Sequence, residues 1–290
     1  MNYWMKLQGS NGYFKRPAGI MGMCLLFALP CPAQERIPLN YQSTVIGMGK
    51  TQVYDSYLSP LQYTGTHLNL LEERMQPVRW GNDKIAAQQL FFFDMASTLN
   101  PAATAISYSG NLEYAYGLYY RLEPIAKVQL LAGVQAGGLL GAIYNPRNSN
   151  NPFSAKVDAG LNISVIAAYR FRMIKQPLEV RYQLIIPTVG WVFSPEYGQS
   201  YYEIGLENDT PLMHFASFHN RWAARNLLSL ELPFPGCTLR LTYMNRLYAT
   251  QINGLKTQTI SNTFGIGISK YFYTVSGRKI NHHEYQKVFE

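Results

Sequence analysis

In the segment 153–171 every odd position is apolar and the even positions are mostly polar or tiny. Odd positions carry Phe153, Ala155, Val157, Ala159, Leu161, Ile163, Val165, Ala167, Tyr169 and Phe171, and even positions include Lys156, Asp158, Asn162 and Arg170. A period of two over this length is a β-strand with two unlike faces. At ~3.3 Å per residue the strand spans roughly 60 Å, beyond the usual strand of a globular domain. The wall of a transmembrane β-barrel meets both conditions, with its apolar face toward lipid and its polar face toward the lumen.

Composition agrees. The 290 residues are 47% hydrophobic and 14% charged, and no run of eighteen apolar residues occurs, so a transmembrane helix is excluded on length. Mean hydropathy is −0.13, as expected when every strand averages its two faces. The 22 Tyr and 14 Phe suit strands and the aromatic girdles of a barrel.

Lys15 and Arg16 precede an apolar stretch at 19–29 and the small-residue site Cys31-Pro32-Ala33, the pattern of a cleaved export signal. Residues 1–33 are read as the signal peptide, with Gln34 first in the mature chain and a cut between Gln34 and Glu35 as the alternative. The polar stretch before Lys15 is long, which favours a true start at Met5 or later. Pro30 stands where a lipidated Cys31 would want a small residue, so no lipid anchor is expected. Cleavage removes Lys6, Lys15 and Arg16 and no acid, lowering the formal charge from +8 to +5, and leaves Cys237 as the single cysteine. An internal disulfide is then impossible even in an oxidising compartment.

Nine more segments read as strands: 43–55, 62–75, 85–98, 104–122, 125–144, 177–194, 213–232, 237–250 and 256–274. Most alternate clearly, but 62–75 and 85–98 alternate poorly. Connections at Glu123-Pro124, 173–176 and 233–236 are short; those at 99–103, 145–152, 195–212 and 251–255 are longer or more polar. Short periplasmic turns and long external loops fix the sidedness, and a periplasmic start requires an even strand number. The predicted fold is all-β: a transmembrane antiparallel up-and-down β-barrel of about ten strands over 34–275, followed by a polar periplasmic tail at 276–290. Eight and twelve strands satisfy the same parity. A soluble lipocalin-like barrel is opposed by strand length and by mid-strand charges beside Gly and Ser.

Three stretches carry a resemblance. They are Gly47-Met-Gly-Lys-Thr-Gln-Val-Tyr-Asp-Ser-Tyr-Leu-Ser-Pro-Leu-Gln-Tyr-Thr-Gly65, Tyr197-Gly-Gln-Ser-Tyr-Tyr-Glu-Ile204 and His214-Phe-Ala-Ser-Phe-His-Asn220. Together they resemble an uncharacterised family of outer-membrane barrels from Bacteroidetes-type bacteria. The resemblance spans about 40–275. It implies the fold and a location in the outer membrane of a Gram-negative bacterium, and it carries no activity.

Candidate chemistry is sparse. Gly47-Met-Gly-Lys-Thr51 lacks the Gly a phosphate loop needs, since Thr44 stands there, and no helix follows. Ser217, His219, Arg221 and Arg225 share one parity and are read as lumen-facing. A Ser217–His219 nucleophile and base would suit a lipid hydrolase, but neither an orienting acid nor an oxyanion site is visible. His282-His283 make a poor metal site. The lumen-lining charges are Lys127, Lys156, Asp158, Arg170, Glu179, Arg181, Arg221, Arg225, Glu231 and Arg240, joined by Glu113 and Arg246. Eight basic and four acidic groups make a basic interior, either paired into a plug or open to anions. The expected function is therefore non-enzymatic, structural or passage of a small anionic solute. A lipid hydrolase, or a binding and assembly module acting through loop 195–212, is the alternative. Expected partners are outer-membrane lipid and, during biogenesis, the assembly machinery. Neither a nucleic-acid partner nor a cofactor is expected.

Overall fold

The computed structural model describes residues 37–38, 40–78, 84–122, 128–149, 151–173, 176–205, 211–272 and 285–286. The expected signal segment 1–33 and its cleavage site, Lys127 and His282-His283 lie outside the described residues. Of the expected polar tail, only Tyr285–Gln286 is described: this two-residue strand, β13, pairs in parallel with β1, Ile37–Pro38.

The remaining strands close into one antiparallel barrel. In chain order they are β2 (Asn40–Asp55), β3 (Tyr63–Pro77), β4 (Ile85–Leu99), β5 (Ile106–Arg121), β6 (Val128–Tyr144), β7 (Phe153–Met173), β8 (Gln176–Phe193), β9 (Met213–Ala216), β10 (Arg221–Phe234), β11 (Cys237–Ile252) and β12 (Leu255–Phe272). Each pairs with its sequence neighbour, and β12 pairs with β2 to close the sheet. Both β9 and β10 pair with β8, so they are two pieces of one stave and the barrel has ten staves. The expected single strand 213–232 is interrupted because Ser217–Asn220 form a turn, in which the Asn220 side chain accepts from Ser217 N at 2.9 Å and donates to Phe215 O at 2.9 Å.

Alternation sorts the side chains. Ile46, Met48, Leu68, Val134, Ile163, Phe264 and Ile266 face outward and are exposed. Register sets them side by side, Ile46 opposite Ile266 and Met48 opposite both Phe264 and Leu68, as an apolar band around the outside. One bulge resets the pattern. Leu161 pairs with Val189 and Asn162 with Pro187, leaving Thr188 between them, its hydroxyl donating to Leu161 O at 2.9 Å. Before the bulge Tyr182 points out; after it Val189 and Trp191 do. Gly160 and Gly190 are paired just beyond, where a Cβ on either would meet a cross-strand carbonyl oxygen at 2.3 or 2.4 Å. Only glycine permits this close approach at the bend.

The connection at 251–255, read as longer or more polar, is a two-residue turn. Asn253 and Gly254 both have positive φ, 52° and 73°, the geometry that matches strand twist in a tight hairpin. The strand ends near 56–62, 100–105, 145–152 and 194–212 share its rim, here termed the loop end. The opposite rim, the turn end, holds Asn40 and Phe272.

Candidate functional site

The lumen is filled in tiers. Toward the turn end nine of the ten staves contribute to one buried polar network. Glu73 of β3 is fully buried and is shared by two arginines: Arg181 Nη2 of β8 lies 2.5 Å from its Oε2, and Arg240 Nη1 of β11 lies 2.6 Å from the same atom. Gln88 of β4 donates to the other oxygen at 2.6 Å. Arg240 donates further to Ser43 of β2 and Ser229 of β10, at 2.8 and 2.9 Å. Tyr41 of β2 donates to Glu231 of β10 while its oxygen accepts from Arg240. The Gln88 carbonyl oxygen accepts from Tyr119 of β5 at 2.8 Å, Gln135 of β6 at 3.1 Å and Gln183 of β8 at 2.8 Å. Gln183 also donates to Ser164 of β7, and Ser269 of β12 is buried beside the group. Tyr41, Met75, Leu131 and Ile166 fill the spaces between these groups. Glu179 of β8, toward the turn end, accepts from Arg170 at 2.8 Å.

A middle tier follows. Glu113 of β5 is held by both Arg225 of β10 and Arg246 of β11. Arg246 also reaches Asp94 of β4 at 3.1 Å, and the Arg225 guanidinium lies 4.0 Å from the Phe92 ring centroid. Toward the loop end the packing opens. Arg221 Nη1 binds both oxygens of Asp158 at 2.8 and 2.9 Å, Lys156 pairs with Asp55 at 2.8 Å, and His67 shares a 2.7 Å bond with Thr263. Asp158, Lys156 and His67 border an empty space of roughly 1070 Å³, its open mouth included, whose walls also carry Val53, Ile143, Val192 and Ile252. The rim above is fastened by Tyr57, which donates to Gln199 O at 2.7 Å, and by Tyr201 of helix α1 (Tyr201–Gly205), which accepts from Ala155 N at 2.6 Å. Burial pushes the Tyr57 hydroxyl up to about 12 and raises that of Tyr201.

The expected two-to-one basic excess narrows. The lumen places Lys156, Arg170, Arg181, Arg221, Arg225, Arg240 and Arg246 with Asp158, Glu113, Glu179 and Glu231, and adds Asp55, Glu73 and Asp94. Among the described residues these seven cations thus meet seven carboxylates, and Arg121 and Arg172 share the inward parity near the turn end. Glu73 and Asp94 were hidden because β3 and β4 carry large apolar residues inside the barrel. Leu71, Leu90 and Phe92 pack in the lumen with Val45, Ile185, Leu227 and Met244, while Glu72 and Arg74 lie on the outer parity. Carrying the inward parity of Tyr63, His67 and Asn69 down β3 was the signal that reaches Glu73.

Ser217 and His219 do not join Arg221 and Arg225 in the lumen. The turn that interrupts the stave carries them outward, where His219 is exposed and stacks on the outward Phe215 at 6.3 Å. Ser217 Oγ and His219 Nδ1 do meet, at 2.6 Å. No carboxylate is hydrogen-bonded to His219 among the described residues. The described residues contain no cluster with the make-up of a metal site.

A closed ten-stave barrel with an apolar exterior and a charged, filled interior is the architecture of a membrane β-barrel. The chain belongs to the family of proteins of unknown function DUF3316, whose model matches residues 23–279. No curated protein matches the sequence. Among solved structures, it is similar to the translocator domain of the autotransporter NalP from Neisseria meningitidis, at 10% identity and TM-score 0.37, over 84% of this chain and 90% of that one. It is also similar to the outer-membrane protease OmpT from Escherichia coli, at 9% identity and TM-score 0.43, over 83% and 98%. A third is an outer-membrane channel from Pseudomonas putida F1, at 8% identity and TM-score 0.34, over 84% and 100%.

Proposed function

We propose that the protein is a non-enzymatic outer-membrane barrel, sealed at its turn end and open at its loop end as a cup for small polar solutes. The observation that carries this reading is Glu73, a fully buried carboxylate shared by Arg181 and Arg240 inside a network drawn from nine of the ten staves. Such a network leaves no aqueous path and is held by charge-assisted bonds. The pairing of the buried lumen cations with carboxylates supports a plug rather than an anion pore, since a selective pore keeps uncompensated charge on its wall. In this reading the turn end faces the periplasm and the apolar band faces lipid. Planar-bilayer recording tests the seal: the wild type stays silent and Glu73→Ala conducts. Steady large openings in the wild type would overturn the reading. Recovery of the protein outside the outer-membrane fraction, without heat-modifiable mobility, would overturn the location.

The 2.6 Å Ser217–His219 contact favours a second reading, a hydrolase acting on lipid at the outer rim. A phospholipid-release assay on wild type and Ser217→Ala decides it. Release by the wild type that is lost in the variant would establish the hydrolase.

A further inference from the structure

Nine of the ten seams are laddered along their length, apart from the bulge at Thr188. The seam between β8 and the broken stave is different. Its pairing runs from Glu179–Glu231 to Ile185–Arg225, stops, and resumes at Gly190–Ala216. Ile186–Val189 on one side and residues 217–224 on the other have no ladder partners across it. Sequence accounts for the break. Pro187 has no N–H to give, Thr188 is the bulged residue, and residues 217–220 leave as a turn closed by Arg221 N donating to Ser217 O at 2.8 Å. Unpaired backbone is costly against hydrocarbon and persists where it lines a cavity.

A cavity does lie behind it. An empty space of about 650 Å³, its opening to solvent included, is bordered by Ile185 and Pro187 from β8 and by Arg221, Ala223 and Arg225 from the broken stave, with Asp158 opposite. Arg221 is 2% exposed, and its Nη1 alone holds both Asp158 oxygens, leaving Nε and Nη2 without a partner. Arg225 Nε is also unpartnered. Buried guanidinium N–H groups without acceptors are expensive, and their planar spacing matches a carboxylate. On the outer surface the same seam is flanked by exposed Trp191, Phe215 and Trp222, the first two in edge contact at 6.0 Å between centroids.

We propose that this seam is a lateral binding site for a long-chain fatty carboxylate. The carboxylate accepts from the free Nε and Nη2 of Arg221 inside the wall, and the acyl chain leaves through the gap along Trp191, Phe215 and Trp222. The site rests on the placement of the barrel in a membrane, but not on its sealed turn end. Outside the barrel the chain finds apolar surface; inside, the headgroup finds donors that no protein group uses.

The test is ligand retention by the full-length barrel in neutral detergent, read by native mass spectrometry with palmitate, methyl palmitate and acetate as probes. Palmitate should be retained one per barrel, and methyl palmitate roughly ten-fold less, as expected for losing charged hydrogen bonds. Acetate, which lacks the chain, should not be retained. Ala223→Leu fills the inner side of the gap and should abolish palmitate retention while heat-modifiable mobility persists. Trp222→Ala, an outward substitution that leaves the lumen packing untouched, should weaken retention several-fold and serves if Ala223→Leu fails to fold. Equal retention of ester and acid, undiminished retention in a folded variant, or no retention by the wild type would each overturn the proposal. A silent barrel that retains nothing refutes the lateral site alone, and a conducting barrel that retains palmitate refutes the seal alone.

Discussion

The two halves of the lumen use the same residue types to opposite effect. Toward the turn end, Glu73, Arg181 and Arg240 are packed among glutamines, tyrosines and apolar side chains, and each charge is answered within the network. Toward the loop end, Asp158, Arg221, Lys156 and Asp55 pair beside empty space. The same ion pair is therefore a sealing element in one place and a cavity wall in the other. Packing around the charges makes that difference, since desolvation penalises a broken pair most where water cannot enter.

The sharpest test sets Glu73→Ala against Asp158→Ala. The first strands two buried guanidiniums and should lower barrel stability by about 3–5 kcal/mol, the range for breaking a buried pair. The second frees Arg221 next to the cavity, where water can reach it, and should lose only about 1–3 kcal/mol. Chemical denaturation of the two variants in the same detergent gives both numbers, and equal losses would erase the distinction between the halves.

A second test compares faces within the packed region. Val165→Arg places a cation on the outer apolar band and should cost about 2–4 kcal/mol near a bilayer midplane. Parity alone predicts that Ser164→Arg, on the lumen face, is tolerated. The structure changes that expectation: Ser164 is 1% exposed and accepts from Gln183 at 3.1 Å, so an arginine has no room. Both variants should assemble poorly, whereas Asn162→Arg, farther toward the loop end and half-buried, should assemble well. The yield of heat-modifiable barrel separates the three.

The smallest effect belongs to the rim. The raised Tyr57 pKa means that the folded loop favours the neutral hydroxyl. Its contribution is complete below the ordinary tyrosine value near pH 10 and is lost as pH rises toward 12. Tyrosinate absorbance during an alkaline titration should lose one late-titrating group in Tyr57→Phe, with the barrel's denaturation midpoint at neutral pH nearly unchanged.

The barrel was legible in the sequence because β7, β5 and β11 keep one face almost wholly apolar, and the segment count, taken with an even parity, pointed to ten staves. The plug was only half legible. Arg181, Arg240 and Glu231 stand on clean polar faces, but Glu73 stands on a strand whose inner face also carries Leu71 and Met75. A narrow lumen needs apolar filler, and filler removes the contrast between faces on which alternation depends. The broken seam was not legible at all. Ser217, His219, Arg221 and Arg225 keep one parity on paper, yet the Asn220-closed turn carries the first two outward, and periodicity contains no sign of a side-chain cap.

The pairing of β12 with β2 has a consequence for how the chain reaches this state. Every other seam joins neighbours in sequence, but this one brings Phe272 to Asn40 and Thr257 to Asp55, the two ends of the barrel segment. Loop-closure entropy makes it the contact most difficult to form early. Until it forms, the sheet is an open ribbon with two unsatisfied edges, each able to template pairing with another chain. A nascent chain halted before Phe272 would therefore remain a strand donor and acceptor at once, prone to stitch itself to its siblings.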